Sequence, residues 1–263
     1  MIIDSHTHNF KMGDKDFTAK DLLASMDEAG IDYSMLIADS TIEGGNAVDQ
    51  VVKTCQENPR LKAIGSVEYQ TIGESQIQKI VDYLQEGKIH GVKLYPGYED
   101  FYPFDEKLFP LYEQCGKMGK PVIFHTGVLQ EGFSGLLKQV HPLNIDEVAN
   151  KFPDLKIVMA HFGNPWIIDA AAVTAKNKNV YVDLSGYFWV FAPIPQKDVD
   201  FFVHDLTYFK SFVGDFKKCL FGTDWPLYSQ KEYLEAVKQL PLTDEEKELV
   251  FWKNATQLFG LEV

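Results

Sequence analysis

Eight short apolar runs, each followed by an amphipathic helical stretch, recur from one end of the chain to the other. They lie at residues 2–8, 33–39, 61–68, 89–95, 121–127, 156–162, 180–185 and 219–224. Most are continuous and rich in Val, Ile and Leu, the pattern of strands covered on both faces. Helical patterns fill the gaps at 18–30, 46–58, 74–87, 105–119, 144–152, 165–177, 197–212 and 229–240. A ninth, at 243–258, opens with the capping box Thr243-Asp-Glu-Glu246. Thr18 and Gly30 supply a cap and a stop for the first helix.

Strand–helix alternation repeated eight times predicts a parallel sheet closed into a (β/α)8 TIM barrel with an extra C-terminal helix. The 263 residues match the roughly 250 that such a barrel needs. An open doubly wound sheet is the competing architecture. It is disfavoured because no GxGxxG or Walker loop follows the first strand. The chemically interesting residues also follow many strands instead of one switch point. No linker or low-complexity tract divides the chain, so one domain over 1–263 is expected.

A parallel barrel builds its active site at the C-terminal ends of its strands. Metal-capable residues fall there. The first strand ends Asp4-Ser-His6-Thr-His8, and residues two apart on a strand share a face, so both imidazoles would converge. The fifth ends in His125, the sixth in His161 and the eighth in Asp224. A single strand-end histidine is more often structural, but five such residues at strand ends would require five coincidences. His90, His141 and His204 lack this placement and read as structural.

The formal net charge of −13 opposes nucleic-acid binding, which demands a basic surface. The N-terminus lacks the basic and apolar regions of a secretory signal, and no apolar run approaches the roughly 20 residues of a membrane span. Cys55, Cys115 and Cys219 are odd in number, widely spaced and set in apolar contexts, which favours free thiols. A cytoplasmic protein acting on a small molecule is expected.

The ordered pieces Asp4-Ser-His6-Thr-His8, Gly91-Val-Lys93-Leu-Tyr-Pro96, Pro121-Val-Ile-Phe-His125-Thr-Gly127, Ala160-His161-Phe-Gly163, Phe221-Gly-Thr-Asp224-Trp-Pro226 and Asn254-Ala-Thr-Gln-Leu-Phe-Gly260 span nearly the whole chain. In these the chain resembles the amidohydrolase superfamily, in the amidohydrolase-related branch that includes aminocarboxymuconate-semialdehyde decarboxylase. The resemblance implies a mononuclear centre in which His6, His8, His125 and Asp224 hold one divalent metal with a water. Three nitrogens, a carboxylate oxygen and an open position suit Zn²⁺, while Mn²⁺, Fe²⁺ or Co²⁺ can use the same ligands. Asp4 or backbone carbonyls are candidates to orient the histidine rings. Activation of the bound water toward a pKa of roughly 7 would follow, with Asp224 accepting its proton. His161 would polarise the substrate or stabilise its oxyanion.

Lys93 has two readings. Binuclear relatives carry a carbamylated lysine that bridges two metals. The preferred reading is an amine paired with Asp4, Glu68 or a substrate carboxylate, since no sequence cue demands a second metal. Tyr95 shares its strand face. The loop 95–104, residues 186–191 and Trp225 are expected over the pocket, with Lys93, Tyr95 and Trp225 as the candidate substrate contacts; aromatic residues of such loops, and Asn164 and Trp166 with them, more often pack against neighbouring loops than stack on a planar substrate. Hydrolysis of an amide, lactone or ester-like bond is the favoured reaction. Non-oxidative decarboxylation of an aromatic or unsaturated acid is the alternative, because a carboxylate clamp suits arginine and Arg60, the sole arginine, precedes the third strand at the far rim. A barrel that binds without turnover is a third reading, disfavoured by the full ligand set. The segment 245–259 is left with two roles, closing the barrel bottom or forming a homodimer face.

Overall fold

The computed structural model describes residues 1–39, 41, 45–188 and 193–263. Eight parallel strands follow one another around a sheet in the order β1 (Ile3–Thr7), β4 (Tyr33–Ile37), β5 (Leu61–Ser66), β6 (Val92–Leu94), β7 (Val122–Phe124), β8 (Ile157–Met159), β9 (Val180–Asp183) and β10 (Cys219–Leu220). The first and last then meet. Ser5 N–H donates to the Phe221 carbonyl, Asp224 N–H to that of His6 and His8 N–H to that of Trp225, at 2.7–2.9 Å. The (β/α)8 barrel is therefore the observed architecture.

Period-two alternation sorts each strand into two cores. Ile3, Met35, Ile37, Ile64, Ile123, Val158 and Leu220 fill the barrel interior. Their neighbours Leu36, Ala63, Val122, Phe124, Ile157, Met159, Cys219 and Phe221 pack outward against the helices. The same register sends Lys93, between outward Val92 and Leu94, and His125, two residues past Ile123, to the inner face.

Helix ends follow the local chemistry expected of them. Helix α1 (Ala19–Ala29) starts at a capping box between Thr18 and Asp21 and stops at Gly30, whose φ of 73° is left-handed. Then come α2 (Val48–Glu57), α3 (Glu74–Gln85), α4 (Phe109–Met118), α5 (Leu143–Lys151), α6 (Ile167–Lys176), α7 (Gln196–Val213) and α8 (Gln230–Val237). The C-terminal run is interrupted where one helix was expected. Helix α9 (Asp244–Glu248) passes through a π-turn at Leu249–Lys253 into α10 (Asn254–Phe259). Asn254 Nδ2 donates to the carbonyls of Phe216 and Cys219.

Two features escaped the sequence reading. The sixth strand stops at Met159 because His161 and Phe162 adopt left-handed φ of 60° and 57°, which ends the ladder. A two-residue hairpin of β2 (Lys11–Met12) and β3 (Lys15–Asp16) follows β1, turned at Gly13 with φ 56°. All three cysteines are free. Among the described residues no helix is long and apolar enough to cross a membrane.

Of the two roles left open for the C-terminal segment, the bottom plug is the one observed, since Ala255, Leu258, Phe259 and Leu261 join the inner-barrel cluster. Phe259→Ala removes a ring that is 1% exposed and should destabilise the fold by about 3–5 kcal/mol. Urea unfolding measures this; an unchanged midpoint would contradict the plug.

Candidate metal centre and active site

At the C-terminal rim, His6 on β1, His8 just past it and Asp224 in the turn after β10 bring three donors together. His6 Nε2 and His8 Nε2 stand 3.2 Å apart, and Asp224 Oδ1 lies 3.6 and 3.5 Å from them. All three side chains are nearly excluded from solvent. Asp183 sets the chemistry of this group. Its Oδ2 accepts from His6 Nδ1 at 2.9 Å, which leaves the Nε2 lone pair turned toward the other donors and toward Lys93 Nζ at 3.3 Å. The buried Nδ1 of His8 has no partner among the described residues. Two imidazole nitrogens and a carboxylate oxygen converging at a buried site fit a divalent cation.

His125 stands beside this trio and outside the group of mutually close donors. Its Nε2 donates to the Val128 carbonyl at 3.0 Å, so Nδ1 is the nitrogen left to coordinate. Its ring packs against His161, with centroids 4.8 Å apart. His161 Nδ1 lies 3.9 Å from Asp224 Oδ2 and 3.0 Å from Ser185 Oγ. The backbone N–H of His161 donates to Asp183 Oδ1 at 3.0 Å, and Ser185 Oγ is also bonded to that oxygen. Gly186 is required here, because a Cβ on it would sit 2.5 Å from His161 Nδ1.

Burial pulls the His161 imidazole down to about 3, so it is neutral near pH 7. Burial alone would raise Asp183 and Asp224, but the surrounding histidines hold both well below the usual carboxylate range. Asp183 was missed from sequence, although it ends the seventh strand just as His125 ends the fifth. Asp39, at the end of the second, was missed likewise; it is buried, lines the pocket and accepts from Thr41.

Lys93 requires a correction. It pairs with neither Asp4 nor Glu68. Its ammonium is fully buried, 3.3 Å from His6 Nε2, and no carboxylate among the described residues lies within 4.0 Å. Burial pulls it down to about 8, with Asp183, Asp224 and Asp39 partly offsetting this. Asp4 does not orient a ring either; its oxygens are taken by His6 N–H, Thr223 and Gln230.

Above these groups opens a cavity of about 890 Å³. Lys93, Tyr95, His125, His161 and Asp224 line its depth, and Phe10, Tyr98, Leu129, Phe188, Leu227 and Tyr228 supply apolar walls. Trp225 does not line it. The indole is buried edge-on against Phe17, 5.8 Å between centroids, and Leu227 and Tyr228 take the expected place. In the loop 95–104 only the first residues reach the cavity, because Phe101 stacks on Tyr69 and Tyr102 on Phe104. Gly186, Tyr187 and Phe188 line it, whereas 189–191 lie outside the described residues. Asn164 is a wall residue; Trp166 packs on His141 instead. Arg60 is held at the far rim by Asp27 and the carbonyls of Ile31 and Asp32.

A sequence model of the Amidohydrolase family matches residues 3–261. The chain belongs to the amidohydrolase family. It is 25% identical to the 2-amino-3-carboxymuconate-6-semialdehyde decarboxylase of Dictyostelium discoideum over 81% of this chain, and spans 65% of that relative's length. The fold matches an uncharacterized TIM-barrel protein from Bordetella bronchiseptica, with a TM-score of 0.78 and 24% identity over 98% of both chains. It also matches a dihydroxybenzoic acid decarboxylase from Polaromonas, solved with manganese and the inhibitor 2-nitroresorcinol, with a TM-score of 0.74 and 17% identity over 99% of this chain and 97% of that one. Membership in this amidohydrolase family makes the chain an enzyme of a metal-dependent group whose relatives include decarboxylases.

The buried neutral His161 makes the metal-free protein acid-sensitive. The unfolded chain takes up a proton below about pH 6.5, whereas folded His161 resists protonation down to about 3. Stability is thus fully present above pH 6.5 and lost as pH falls toward 3. The depressed Asp183 and Asp224 add a further loss below their unfolded value of 3.8. The Tm of metal-free protein should fall from pH 7 to 4, and His161→Gln should flatten that slope; an identical slope in the variant would contradict the assignment.

Proposed function

We propose that the protein is a metal-dependent decarboxylase of a small aromatic or unsaturated carboxylic acid. The observation that carries this reading is Lys93, a buried ammonium without a carboxylate partner among the described residues, at the floor of an apolar-walled cavity beside the His/Asp cluster. A buried cation is costly unless something of opposite charge meets it, and a substrate carboxylate supplies that charge. The hydrolytic expectation rests on the lack of an arginine fork, which leaves only Lys93 and nearby hydroxyls as a clamp, and on the compactness of the chain. Lys93 answers the first objection by offering a point charge in place of the fork. The 25%-identical relative is named for decarboxylation of an unsaturated acid, which favours the same reading.

His6, His8 and Asp224, with His125 as the fourth side chain, would hold the ion, and Zn²⁺ or Mn²⁺ suits them. A bound ion would supply positive charge that stabilises negative charge developing on a substrate oxygen. Lys93 Nζ binds the acid, and the walls around Tyr98 and Tyr228 hold its planar body. Neutral His161 donates a hydrogen bond to the oxygen where charge develops. The bond from carbon to the carboxylate breaks, CO2 leaves with neither of the bonding electrons, and the carbon takes a proton. Asp224 Oδ2, the oxygen turned from the histidine pair toward His161, relays that proton from cavity water to the carbon.

Incubation of the Zn²⁺- or Mn²⁺-loaded protein with a panel of hydroxybenzoates, muconate-type acids and lactones tests the reading. CO2 release from an acid supports it, and hydrolysis of lactones without CO2 release would return the protein to the hydrolytic class. Asp224→Asn should abolish turnover. Lys93→Met should raise KM for the acid by about 10- to 100-fold, the range set by a charge-assisted hydrogen bond.

A further inference from the structure

The seam where the barrel closes contains a buried carboxylate that touches no histidine ring. Asp4, on β1, is fully buried, and four donors converge on it. Oδ1 accepts from the backbone N–H of His6 at 3.2 Å and of Thr223 at 3.0 Å. Oδ2 accepts from the Thr223 hydroxyl at 2.6 Å and from Gln230 Nε2 at 2.8 Å. The Thr223 hydroxyl in turn accepts from Trp225 N–H at 3.2 Å. Asp224 is therefore flanked on both sides by residues tied to Asp4. Its own φ is 66°, a left-handed conformation that a non-glycine residue keeps only where its surroundings enforce it.

We infer that Asp4 is a positioning residue for the metal centre. Its carboxylate ties the first strand to the turn after the last, and so sets the separation of His6 and His8 from Asp224 before any ion arrives. A carboxylate suits the task because all its neighbours are donors and it donates nothing. An asparagine has the same shape but turns an NH2 toward one pair of those donors. Gln230 anchors the arrangement to α8, and Ser34 lies one contact further out, 3.5 Å from Gln230 Nε2. The inference rests on the metal-site reading given above, so its test measures ion binding directly.

The experiment uses full-length protein stripped of metal, with Zn²⁺ and Mn²⁺ affinities read by competition with a chromophoric chelator. Thermal unfolding of the same metal-free samples is followed by circular dichroism. Asp4→Asn should weaken ion binding about 10- to 100-fold, the loss typical when support behind a ligand is removed, while the metal-free Tm moves by only a few degrees. Thr223→Val, which keeps the backbone donor and deletes the hydroxyl, should fall between it and wild type. Ser34→Ala should bind as wild type does. A lowered Tm with unchanged ion affinity in the folded variants would reduce Asp4 to a fold-stabilising residue and overturn the inference, leaving the metal reading intact. Failure of the wild type to bind either ion would overturn both. Where Asp4→Asn does not fold, Thr223→Val decides by the same two readouts.

Discussion

Closure of the barrel between its first and last strands is made by backbone hydrogen bonds around Ser5, His8 and Asp224, and every other feature of the site hangs on it. His6 and His8 belong to the beginning of the chain and Asp224 to its end, more than 200 residues later. They become neighbours because a parallel sheet of eight strands returns to its starting edge. The inward register of each strand then decides what points into the space so enclosed. Lower positions are aliphatic and pack as a core plugged by Phe259. Upper positions are ionisable and would be out of place in any apolar interior.

Buried charge is tolerated there because the groups answer one another. Asp183 is held ionised by His6 and by the donors around its second oxygen, and Asp224 lies against three imidazoles. In return Asp183 fixes the His6 tautomer and anchors the backbone of His161. Lys93 is the member without a carboxylate at contact distance among the described residues, and the proposed acid substrate would supply that missing charge. The barrel itself does not choose a reaction, since the same fold hosts many chemistries. What favours an acid is a buried ammonium below apolar walls.

Much of this was readable in the residues. The eight strands, the caps at Thr18 and Thr243 and the inward placement of His6, His8, Lys93 and His125 follow from hydrophobic periodicity and capping rules that act over a few residues. Asp183 was equally legible, because it satisfies the same strand-end criterion as its neighbours. Trp225 departs from its expected place for another reason, while Phe101 and Tyr102 take the commoner course of packing on their neighbours. Loop aromatics have no period, and their burial is decided by whichever partner is nearest, here Phe17, Tyr69 and Phe104.

The sequence by itself determined the order of elements, the barrel and the residue types at the strand ends, since each depends on local alternation or on spacing along one element. The tertiary structure decided which of those residues meet. The pairing of Asp183 with His6, the isolation of Lys93, the place of His125 beside the close trio and the grip of Asp4 on both closing strands all join residues from separate strands or turns. Such contacts depend on sub-ångström packing across the barrel, and no pattern along the chain encodes a distance between two strands that meet only after folding.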